Sequence, residues 1–120
     1  MKLTALITAA TLALPLAAQA NPVCEILGEI AAGAGAMRQS GMDQRTAAQM
    51  LGGVIAAAAG QMPGTHAERQ YLATLIGQRA TPILSVVYSL PVERTEMGRD
   101  AAVWAGRQVI YRQCLAGNVL

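Results

Sequence analysis

Two cysteines, Cys24 and Cys114, stand 90 positions apart near the two ends of the chain. If they bond, the first and last structural elements must lie side by side, and open or strung-out arrangements are excluded. Whether they bond depends on the compartment, and the residues ahead of Cys24 bear on that. Lys2 gives a short positive start, Leu3 to Leu16 runs without a charge, and Ala18-Gln19-Ala20 supplies the small residues a signal peptidase requires. Pro15 can break the apolar run before the cut, and the run is short for a bilayer-spanning helix. Residues 1–20 are therefore read as a cleaved signal peptide, and 21–120 as a single helical domain, periplasmic or secreted. A lipid anchor on Cys24 needs a small residue directly before that cysteine, but Val23 is there, after Asn21-Pro22.

In an oxidising compartment two thiols with no other candidates pair. Closing so long a loop stabilises a fold by roughly 4–5 kcal/mol in the chain-entropy picture. Redox-active dithiols are the alternative, but they sit close together as Cys-X-X-Cys. Cys24 and Cys114 are read as a structural staple.

The segment between them is punctuated as helices. Asn21-Pro22 suits a helix start, with Asn as cap and Pro in the first turn. Val23, Ile26, Leu27, Ile30, Ala34 and Met37 then mark one apolar face, and Gly41 is a left-handed stop. Asp43 caps a second helix with a stripe of Ala47, Leu51, Val54, Ile55 and Ala58, ending near Gly60. Gly52-Gly53 within it suggests a kink or a close helix crossing. Thr65 and Glu68 have capping-box spacing, opening a third helix through Tyr71, Leu72, Leu75 and Ile76. Thr81-Pro82 then reads as the start of a separate short helix, Ile83 to Leu90, before Pro91. Thr95 caps the last helix, which runs to about Leu115 before Gly117. Its stripe is Met97, Ala101, Trp104, Tyr111 and Leu115. The expectation is an all-α fold: a compact bundle of four or five helices, the first and last linked by the disulfide.

Charge narrows the function classes. Once Lys2 leaves with the signal, eight arginines face seven acids, so there is no basic field for nucleic acid. From Thr46 to Ala67 no residue carries a full charge, which is nominally long enough to span a bilayer. Gln49, Gln61, Pro63 and His66 interrupt it, so the segment reads as a core helix, and no stable membrane insertion of the mature chain is expected.

Catalytic patterns are sparse. His66, the single histidine, stands in the first turn of a helix, and neither Ser85 nor Ser89 lies in a nucleophile-elbow motif. Met62 and His66 share a loop, with Met42 and Met50 elsewhere, a ligand chemistry suited to Cu(I). Methionine is equally a gap filler in alanine-rich cores. Glu25 and Glu29 share a helix face and could form a carboxylate pair of the glycosidase kind, or line the wet side of a helix. Gly33-Ala34-Gly35 lies inside a helix rather than after a strand, so it is no phosphate loop. No catalytic residue, cofactor or metal site is assigned.

Cys24, Arg38-Gln39-Ser40-Gly41, Val87-Tyr88, Pro91 and Cys114 together resemble a loose group of small exported helical proteins of bacteria. The resemblance implies a disulfide-closed helical fold and carries over no activity. The functional expectation is a non-enzymatic binding or interaction protein of the cell envelope, of immunity or inhibitor type, whose partner is another envelope or secreted protein. The alternatives are a carrier of a small apolar ligand, in a cavity lined by Met50, Leu51, Val87 and Trp104, or an enzyme or metal-binding protein.

Overall fold

The computed structural model describes residues 22–117, and within them every regular element is helical. The helices are α1 (Pro22–Gln39), α2 (Gln44–Gly60), α3 (His66–Ser89) and α4 (Glu96–Leu115). The expected signal peptide and the expected Asn21 cap lie outside the described residues.

Each helix start after α1 uses local chemistry. Asp43 accepts from the Thr46 N–H at 3.1 Å and from its hydroxyl at 2.6 Å. These bonds, the hydroxyl's foremost, hold the Asp43 carboxyl below its ordinary range. At α3 the capping box is complete: the Glu68 N–H donates to Thr65 Oγ1 at 3.2 Å, and the Thr65 N–H donates to Glu68 Oε1 at 3.1 Å. The Thr65 N–H is the main reason the Glu68 carboxyl is also held low. Thr95 caps α4 by accepting from the Gly98 N–H at 3.0 Å. Gly41, at φ +89°, supplies the left-handed residue that lets the chain leave α1.

Among the described residues there are four helices, not five. α3 runs unbroken through Pro82, although Pro82 cannot donate to the carbonyl one turn back. Ile76, Ala80, Ile83, Leu84 and Val87 are all buried, and they continue one apolar stripe across the proline in helical phase. Pro82 itself faces solvent, where water can serve the freed carbonyl. Ending the helix at Thr81 would break that stripe, so tertiary burial overrides the local break.

α1 is the hub. Its Leu27, Ile30, Ala31 and Ala34 pack with Ala47, Leu51 and Ile55 of α2 and the α3 stripe in one core. On its other side α1 carries α4. Cys24 and Cys114 sit at disulfide distance, S–S 2.03 Å with Cα atoms 5.4 Å apart, and link the first helix to the last. The close crossing is not at Gly52-Gly53, which are exposed and meet nothing. It is on α1: a Cβ on Gly28 would lie 3.4 Å from the Arg107 carbonyl oxygen, and one on Gly35 3.4 Å from Val103 Cγ2.

Candidate functional site

α4 contributes no fully buried residue. Val103, Ile110 and Cys114 turn toward α1 and are half-buried. Of the Met97, Ala101, Trp104, Tyr111 and Leu115 stripe read from its periodicity, Tyr111 is half-buried beside α1 and the other four look outward. Met97 is 82% exposed and Trp104 63%. α4 docks on α1 alone to any extent, so one flank of the helix is used and the next is left open.

Between α1 and α4 runs a groove of about 400 Å³. Ala32 and Ala36 form its floor on α1, Val103 and Trp104 its wall on α4, and Asp100 and Arg107 its charged rim. On the other side of the contact, Arg107 forms an ion pair with Glu29. Glu25 and Glu29 border a second depression with Arg107, Gln108 and Tyr111. Both carboxylates are exposed, and Glu29 serves to tie α1 to α4.

The remaining candidates fall apart in space. His66 is exposed at the first position of α3, while Ser85 and Ser89 lie near its far end. Nineteen residues of helix put His66 about 28 Å from Ser85, too far for a base and its nucleophile. Ser89 Oγ donates to the Val86 carbonyl at 2.6 Å. Met62 is half-buried and Met42 packs against the core, while Met50 is exposed. Of the four residues expected to line a carrier cavity, Leu51 and Val87 are in the core, while Met50 and Trp104 project from the molecule. The α1–α4 groove takes Trp104 but none of the other three. Among the described residues no group of three or more His, Cys, Asp or Glu side chains could hold a metal ion, and no helix is long and apolar enough to cross a membrane.

A junction that sequence reasoning missed as a unit lies where α1 ends. Arg38 Nε donates to the Leu90 carbonyl at 3.0 Å, and its guanidinium stands 5.5 Å from the Tyr88 ring centroid. Gln39 donates to the Pro91 carbonyl at 3.1 Å and accepts from the Glu93 N–H at 2.7 Å. Tyr88 donates its hydroxyl proton to the Met42 carbonyl at 2.9 Å. The loop between α3 and α4 is thereby pinned to the end of α1, which sets where α4 begins. The signal was present in Arg38-Gln39, Tyr88 and Pro91, but nothing in their spacing shows that they meet.

No protein-family model, curated protein or solved structure matches the chain.

Proposed function

We propose that the protein is exported to the cell envelope and works there by binding another protein, without catalysis, as an inhibitor or immunity protein does. The docking element is the outward face of α4. What carries the reading is Trp104, a large aromatic side chain held 63% exposed in the middle of an apolar stripe. Trp is among the residues that most often dominate binding energy at protein interfaces. Support also comes from how firmly α4 is held: the staple, the Glu29–Arg107 pair and the pinned 90–93 loop fix the helix in advance of binding. A preformed helix face loses little entropy when it docks.

The test is photo-cross-linking in living cells, with a benzophenone side chain at position 104 and a control at exposed Gln49 on α2. Light-dependent protein adducts from position 104, absent from position 49, are expected. Equal or absent adducts from both positions would remove the reading.

A further inference from the structure

We propose that, until another protein takes its place, the α4 face is held by a second copy of this chain, joined antiparallel in a two-fold dimer. The inference rests on the preceding reading that this face is a docking surface, and it names the occupant.

Met97, Ala101, Trp104, Gln108, Tyr111 and Leu115 recur at alternating steps of four and three. That is the seam by which one helix packs along another with knobs in holes. The seam is open toward its N-terminal end, where Met97, Ala101 and Trp104 are exposed, while Gln108 and Tyr111 further along are half-buried beside α1. The residues flanking a seam decide orientation and register. One flank holds Asp100 and Arg107, and the other holds Gly98, Ala105 and Arg112.

A parallel pair sets one flank against the other and brings Arg107 to Arg112 of the second copy, twice. An antiparallel pair sets each flank against itself. In the register that runs the whole stripe, Met97 against Leu115, the two Arg107 side chains meet at the centre. Sliding one heptad toward the N-terminus removes that clash. Asp100 then faces Arg107 of the other copy, twice over, and the small pair Gly98 and Ala105 allows close approach on the far flank. Trp104 falls opposite Ala101, a large side chain against a small one. Asp100 has no ion-pair partner within the chain among the described residues. Arg107 has donors to spare beyond its bond to Glu29. One register of one orientation thus satisfies both charge and size.

The overlap covers two heptads, about 21 Å of helix, so the dimer is of the small-interface, reversible kind. Trp104 is the single tryptophan of the chain, and its emission reports its own burial. Sedimentation and fluorescence of the oxidised protein from about 10 µM to about 1 mM span the range such an interface requires. Mass should approach twice the monomer's, with a blue shift over the same concentrations.

Trp104→Ala should weaken association at least ~10-fold. Asp100→Arg or Arg107→Glu alone should sediment as a monomer, and an equimolar mixture of the two should recover the dimer, since both cross-copy pairs are then opposite in charge. Thermal melts of each variant establish that it is folded. A monomer throughout, a dimer insensitive to these changes, or a mixture that stays monomeric would overturn the inference. Should the monomer still give position-104 adducts to a different protein, the docking reading would stand while the dimer fell.

Discussion

Tyr88 performs two tasks at the end of α1: its hydroxyl donates to the Met42 carbonyl, and its ring lies beneath the Arg38 guanidinium. Burial pushes its phenol upward, the nearby Asp43 charge adds to that, and Arg38 opposes both. The folded state therefore prefers the neutral phenol. Its contribution is fully present below the unfolded value, about pH 10, and is lost as pH rises through the higher folded value. The described residues include no lysine, and both cysteines are paired. Tyr88→Phe should cost about 0.5–1.5 kcal/mol near neutral pH, through the lost hydrogen bond. Urea midpoints taken from pH 8 to 11.5 should fall with pH in the parent protein, and less steeply in the variant. Parallel curves would assign the alkaline loss to another group.

At the scale of the element, glycines test the packing from both sides. Gly52 and Gly53 are mid-helix and a Cβ there meets nothing, so Gly52→Ala and Gly53→Ala should each raise stability by about 0.5–1 kcal/mol. Gly28→Ala gains the same helix propensity but sets a methyl 3.4 Å from the Arg107 carbonyl. That neighbour is backbone, and the distance is ordinary van der Waals contact, so the methyl fills the space up to α4 without displacing it. Thermal melts should show all three variants rising, and a fall confined to Gly28→Ala would mean that α1 and α4 meet there too closely to admit a methyl. The sequence alone pointed to the wrong pair, because glycine spacing cannot say which face of a helix another helix approaches. Caps were legible for the opposite reason: Asp43, Thr65 with Glu68, and Thr95 act within one turn, on backbone that any helix start exposes. Pro82 misled because a local break was outweighed by a distant gain, the stripe from Ile76 to Val87. The α4 periodicity was legible too. It told which residues share a face, but not that Trp104 and Met97 would be left uncovered, since covering depends on a partner element.

For the whole molecule the consequence is an uneven distribution of stability. α1, α2 and α3 share the buried core, whereas α4 adds only half-buried contacts along α1. α4 brings no fully buried side chain to its contact with α1, so the cross-link between Cys24 and Cys114 bears first on that helix. Its stabilisation, roughly 4–5 kcal/mol in the chain-entropy picture, is comparable with the whole stability of many domains this size. Cys24 is fully buried while Cys114 is half-buried, so a reductant reaches the pair from the α4 side. Breaking the bond should release α4 before it disturbs the core, because α4 meets that core only through half-buried side chains, Ile110 and Cys114. Hydrogen exchange measured by mass spectrometry, with and without reductant, should show protection lost first across residues 96–115. Protection across α1 and across 76–87 should persist under mild reduction. Simultaneous loss across all four helices would instead mean that α4 is part of one cooperative unit, held by its contact with Gly28 and Gly35 as firmly as by the staple. The Cys24→Ala/Cys114→Ala variant repeats the test without reductant, and the same order of loss is expected. Since Trp104 sits on the helix that loosens, the proposed docking face would be preformed only in the oxidised protein, and photo-cross-linking from position 104 should decline in that variant.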